Sequence, residues 1–210
     1  MSSGGAGPDG IPAYEFKPSL AGALSRFSLQ PDALSWQIGR RSGRIRYGRI
    51  AAVRLSYRPV TMQSHRFVTE IWSPDCPKIQ IASVSWRSLV EQQRLDRAYS
   101  EFITELHRRL AMAGATPEFS IGLPVATYWI GAALFAAVIA AAIVLAARSA
   151  VALQWSTAAI VAAFFAVFAW QIGSYFHRNR PGHYRPDAIP AGVMPKARSL
   201  MENARPVPLA

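Results

Sequence analysis

Between Phe119 and Phe176 the sequence holds one Asp, Glu, Lys or Arg residue, Arg148, with an uncharged block on either side of it. Each block, Phe119 to Ala147 and Ser149 to Phe176, exceeds the roughly 20 residues that an α-helix needs to cross about 30 Å of hydrocarbon. Leu134, Phe135, Val138, Ile139, Ile143, Val144 and Leu145 in the first block, and Ile160, Val161, Phe164, Phe165, Val167, Phe168 and Ile172 in the second, all favour insertion. At central positions such residues contribute about −0.3 to −0.6 kcal/mol each. The alternative, a helix pair buried in a soluble protein, needs more apolar material around it than the rest of a 210-residue chain supplies. The sequence therefore predicts transmembrane helices over 121–147 and 153–176, joined by a short extracytoplasmic turn at 148–152.

Aromatic residues mark the expected interfaces: Tyr128, Trp129 and Trp155 near the starts, Trp170, Tyr175 and Phe176 near the finish. His107, Arg108 and Arg109 precede the first span and Arg178, Arg180 and Arg185 follow the second, which places both termini in the cytoplasm. Of the net charge of +11, the part before residue 121 carries +6, Arg148 carries +1 and the tail +4. Juxtamembrane charge accounts for that excess, and no helix-turn-helix, zinc-finger or RNA-binding motif accompanies it, so no nucleic-acid partner is expected. Cys76 is the sole cysteine, in keeping with a reducing compartment.

The first 18 residues open with SSGGAGPDG and are expected to be disordered, without the basic start and apolar run of a signal peptide. From Leu20 to Trp86 apolar residues alternate with polar ones between turn residues. Phe27 and Leu29, then Leu34, Trp36 and Ile38, read as a hairpin, followed by strands around Ile45–Tyr47, Val53–Tyr57, Gln63–Trp72 and Lys78–Ser85. Ser88 and Glu91 form a capping-box signature for a helix whose apolar stripe is Leu95, Tyr99, Phe102, Leu106 and Leu110, with Gly114 placed as its C-terminal cap. Arg97, Glu101, Glu105 and Arg109 fall on its opposite, polar face.

Five to seven antiparallel strands followed by one amphipathic helix, together with the stretch Gly43-Arg44-Ile45-Arg46-Tyr47-Gly48-Arg49-Ile50-Ala51-Ala52-Val53, resemble a bacterial pleckstrin-homology-like domain. The resemblance covers roughly residues 20 to 113. It implies an α+β fold: an antiparallel β-roll or barrel over residues 19–115, capped by the helix, which binds proteins or lipids without catalytic groups, next to the transmembrane hairpin. The implied location is a bacterial inner membrane.

Within this frame Arg40, Arg41, Arg44, Arg46 and Arg49 form a basic cluster. Arg44 and Arg46 share one side of a strand, opposite Ile45 and Tyr47, where they can meet anionic phospholipid head groups; a solvated strand face is the plainer alternative. Ala132, Ala136 and Ala140, and Ala158, Ala162 and Ala166, recur at every fourth position and are expected to pack the two spans together, with lateral contact to another protein or a second copy as the alternative. The tail, 177–210, is basic and rich in proline. Tyr184, Pro186, Ile189, Pro190, Met194 and Pro195 are its candidate recognition residues, for a partner's groove or for the protein's own soluble domain, although such tails are most often unstructured. The four histidines are scattered without ligand spacing, so no metal, cofactor or catalytic set is expected. The function anticipated is a non-enzymatic membrane adaptor or accessory protein with a protein partner or a homo-oligomeric state; the alternative is a structural subunit of a larger membrane complex.

Overall fold

Side chains at every second position must share a face of a strand, and this rule shapes the first half of the chain. The computed structural model describes residues 4–6, 10–59, 65–87, 92–152 and 155–195. Strands β1 (Gly4–Ala6), β2 (Pro12–Phe16), β3 (Ser25–Leu29), β4 (Ala33–Ile38) and β5 (Arg41–Arg46) form one antiparallel sheet in sequence order. Tyr14 lies opposite Phe27, Phe27 opposite Trp36 and Leu34 opposite Ile45, so these residues line one inner face. The expectation of disorder over 1–18 is corrected here. Tyr14 and Phe16 alternate into the core, and the Tyr14 hydroxyl donates to the Ala82 carbonyl at 2.6 Å; residues 1–3 and 7–9 lie outside the described part.

A short 3-10 turn at Tyr47–Arg49 leads into β6 (Ala52–Pro59), β7 (His65–Ser73) and β8 (Cys76–Ala82), an antiparallel ladder whose inner residues include Val53, Leu55, Thr69, Ile71, Ile79 and Ile81. A small hairpin, β9 (Val84–Trp86) with β10 (Gln92–Arg94), precedes α1 (Asp96–Met112). Ser88 and Glu91 lie outside the described residues, and the helix begins eight residues after Ser88. Residues 92–94 are committed to pairing with 84–86, and the Leu95 amide donates to Ser83 at 2.8 Å. Asp96 then supplies the negative charge that a helix N-terminus favours. The apolar stripe of α1 is buried in the core, and Gly114, at φ +62°, closes the helix in the left-handed region. Arg109 departs from its expected solvent face: its Nη1 donates to the carbonyls of Leu29 and Gln30 at 2.8 and 2.7 Å, tying α1 to the β3–β4 turn.

The second sheet does not end at β6. Strand β11 (Glu118–Ile121) pairs in parallel with β6, and β12 (Gly182–His183) pairs antiparallel with β11, giving the order β12-β11-β6-β7-β8. A second 3-10 turn, Ala191–Val193, lies against β6 with Val193 buried. The soluble unit therefore comprises the chain through Ile121 together with the chain from Gly182 onward, and residues 122–181 form a separate unit. The expected limit at residue 115 falls short because Phe119 and Ile121 continue the apolar run in sequence while belonging to a strand.

That second unit is a pair of helices, α2 (Val125–Val151) and α3 (Trp155–Arg178), both long and apolar enough to cross a membrane. Arg148 sits in the last turn of α2, not in the loop, of which residues 153–154 are outside the described part. Gly122 precedes α2 at φ +76°, where an added Cβ would meet the backbone of Asn179 and Arg180. The seam between the helices also differs from the expected alanine rows. Phe135, Ile139, Ala142, Ala146 and Ser149 on α2, and Ala158, Val161, Phe165, Phe168, Ile172 and Phe176 on α3, are the less exposed residues, while Ala136, Ala140, Ala162 and Ala166 are exposed and Ala132 is half-buried. Phe135 meets Phe168 and Phe176 at 6.0 and 5.8 Å between ring centroids. Steps of three and four average 3.5 residues and follow a facing helix, whereas a row of fours drifts about 40° per step around the axis.

Overpacking at this seam is testable. Ala142→Leu is expected to destabilise the detergent-solubilised hairpin by about 1–3 kcal/mol, and Ala136→Leu to leave it unchanged, read as thermal unfolding of full-length variants.

Candidate functional site

Strand β5 is the last strand of the first sheet, and its sequence Arg-Ser-Gly-Arg-Ile-Arg sends Ile45 inward and Arg44 and Arg46 outward. Opposite them lie Ser35 and Ala33 of β4, small residues that leave the guanidinium groups standing clear of the sheet. At Gly43 an added Cβ would come within 2.7 Å of the Trp36 ring, so glycine is what allows that indole to lie across the strand. Arg40 lies in the preceding turn, Arg41 opens the strand and Arg49 lies in the turn that follows, and all five arginines are exposed.

Two of the five have counter-ions that their position in sequence does not reveal. Arg44 pairs with Asp32 of the β3–β4 turn. Arg49 pairs with Asp75 of the β7–β8 turn through bonds of 2.8 and 3.1 Å. The Arg49 hydrogen bond, reinforced by the charges of Arg49 and Arg46, holds the Asp75 carboxyl below its ordinary range. These pairs are solvent-exposed and contribute little to stability. Among the described residues, Arg40, Arg41 and Arg46 have no carboxylate within ion-pair distance, so the strand keeps a net positive face.

The described part of the proline-rich tail, through Pro195, packs on the core of the sheet-bearing unit. The Tyr184 amide donates to Phe119 at 3.2 Å, and its ring packs on Phe119 and His107, with centroids 5.4 and 5.7 Å away. His107 Nδ1 donates to the Ile103 carbonyl at 2.7 Å, which leaves Nε2 to accept from the Tyr184 hydroxyl at 2.8 Å. Ile189 and Met194 pack against the core and Pro195 is buried, while Pro186 and Pro190 shape the chain between them. Of the two uses of these residues open at sequence level, docking on the protein's own domain is the one this structure contains; the histidine that receives Tyr184 lies 77 residues away and had no local signal.

Elsewhere, Glu105 accepts from Arg108 and Arg109 at 2.6 and 2.7 Å, and these bonds, Arg108's first, hold its carboxyl down at about 2. Among the described residues no three His, Cys, Asp or Glu side chains come together at metal-binding distance. Comparison with known proteins gives no family model that matches the chain, no curated protein and no solved structure.

The buried clasp has a pH dependence of definite sign. Burial lowers the His107 pKa from its ordinary 6.5, so the folded chain favours neutral imidazole, whereas the unfolded chain takes up a proton near that value. Stability from His107 is fully present above about pH 6.5 and is lost as the pH falls through the folded value. Stability of the full-length protein in detergent should fall between pH 7.5 and 5.5, and His107→Phe should flatten that slope whatever its effect at pH 7.5.

Proposed function

We propose that this chain is a non-enzymatic membrane accessory protein in which a pleckstrin-homology-like domain, anchored by a transmembrane hairpin, presents the β5 arginines to anionic phospholipid head groups. The observation that carries the proposal is the coincidence of two features in one chain. A basic outer strand with three arginines lacking described counter-ions belongs to a domain interrupted in sequence by two helices whose large apolar side chains are uncovered. Trp129, Ile130, Leu134, Ile160, Phe164 and Trp170 are all 65% or more exposed. In water that surface would associate indiscriminately; in a bilayer it is solvated.

The domain reading is supported by order and count. The antiparallel sheet β1 to β5 is followed by the ladder β6 to β8, the short β9–β10 hairpin and then an amphipathic helix whose apolar stripe fills the core; the seven longer strands, β2 to β8, supply that count. With both helices spanning, the two ends of the hairpin emerge on one side, where the flanking Arg108, Arg109, Arg178 and Arg180 favour the cytoplasm of a bacterial cell. Confinement to that plane brings a soluble domain to the leaflet surface at high effective concentration, so a modest electrostatic attraction suffices to orient it. An oriented domain keeps its remaining faces available to a protein partner.

The test uses full-length protein in nanodiscs, with Cys76→Ser and Gly48→Cys so that a fluorophore reports from beside the basic strand. Quenching by head-group-labelled lipid should rise when the bilayer contains anionic lipid and fall again at high salt. Arg40→Ala, Arg41→Ala and Arg46→Ala should each weaken the bound population roughly fivefold. Equal quenching in zwitterionic and anionic bilayers would refute the lipid role.

A further inference from the structure

On the outer face of the second sheet, Arg58 of β6 stands directly opposite Arg66 of β7. Like charges at directly paired positions of antiparallel strands destabilise the pair, and are ordinarily separated or neutralised. Arg58 has a partner: its Nη2 donates to Glu70 Oε1 at 3.0 Å. Glu70 lies four residues along β7 from Arg66, opposite Arg54, so the Arg58 side chain runs back over Ser56 and Val68 to reach it. That path explains why Ser56 and Val68, which point outward, are both buried.

Arg66 has no such outlet. The same Glu70 oxygen already accepts from Lys78 at 3.1 Å and from Gln80 at 2.7 Å, and the carboxyl is held below its ordinary range by those donors against the cost of burial. No carboxylate among the described residues pairs with Arg66, and its Nε is buried without a hydrogen-bond partner, as is the Ser56 hydroxyl two residues from Arg58 on the same face. Arg54 and Lys78 flank the Trp72 ring at 5.0 and 5.8 Å, so Arg54, Arg58, Arg66 and Lys78 surround the one Glu70 carboxylate, while the other carboxylate of this face, Glu118, lies out on β11 beside His183. Burial, and then the charge of Arg58, lower the Arg66 pKa, the mark of a guanidinium in unrelieved surroundings.

We infer that the Arg58–Arg66 pair is a binding site for a phosphate group, which would bridge the two guanidiniums. Planar guanidinium donors match the oxygens of a phosphate in the two-pronged manner they use for carboxylates. The site lies on a different sheet from β5, and the inference stands without the lipid role given to that strand. The phosphate can belong to a soluble ester or to a phospholipid head group, and the chemistry of recognition is the same for both.

Thermal unfolding of full-length protein in a neutral detergent tests it, with inorganic phosphate titrated against chloride at constant ionic strength. Phosphate should raise the midpoint saturably, by the amount a ligand confined to the folded state confers. Arg66→Gln should abolish that rise, yet in chloride it should unfold at or above the wild-type temperature, because the opposed charge is gone. Arg97→Gln, on the exposed face of α1, should retain the full phosphate effect. A second arm replaces free phosphate with anionic phospholipid in mixed micelles. Protection in this arm alone assigns the site to a head group, and protection by inorganic phosphate assigns it to a soluble ester; in either case it must depend on Arg66. Protection that persists in Arg66→Gln, protection in neither arm, or destabilisation of Arg66→Gln in chloride would overturn the inference.

Discussion

The uncovered apolar surface of α2 and α3 is the constraint on which the rest of this molecule depends. Each helix buries only one seam against the other, and a seam of that kind covers about two residues in seven. Among the described residues, most of the remaining valines, leucines and tryptophans, with Phe164, are largely exposed. A surface of that kind calls for cover by lipid or by another protein, and the sheet-bearing unit has to fold beside whichever covers it. The side chains that remain available for recognition are then those the soluble unit presents at its polar outer faces.

Much of that unit was written in local pattern. Period-two alternation located β3 to β8, and the stripe from Leu95 to Leu110 identified the buried face of α1, because both signals arise from residues that are neighbours along the chain. What escaped notice was non-local. Tyr14 and Phe16 alternate as clearly as Phe27 and Leu29, but two aromatic residues among Gly, Pro and Asp are a weak local signal, and only pairing with β3 makes them core. Ser88 and Glu91 carry a local capping preference, whereas the described helix starts only at Asp96, after residues 92–94 have paired with 84–86. The alanine rows are small-residue faces, but a pattern of fours says nothing about which face turns inward; the phenylalanines at 135, 165 and 168 carry that information at spacings closer to 3.5.

The candidate site divides in the same way. Five arginines within ten residues could be read directly, as could the alternation that turns Ile45 in and Arg44 and Arg46 out. Their counter-ions, Asp32 and Asp75, come from turns that only the folded sheets bring near. The Arg58–Arg66 opposition was invisible because it depends on the register of β6 against β7; a shift of one residue would move Arg66 to the other face. In both cases composition gives the sign of the charge and topology decides whether it is neutralised.

Among the described residues β12 is the strand furthest along the chain, and it joins a sheet begun more than a hundred residues earlier at β6. Until both helices have been synthesised, the outer edge of β11 has no hydrogen-bonding partner within its sheet, and Phe119 and His107 lack the ring of Tyr184 that covers them. An open strand edge is a template for foreign pairing. Completion of the sheet is thereby made contingent on synthesis of both helices, so a chain halted after α2 keeps an open strand edge in place of a finished sheet.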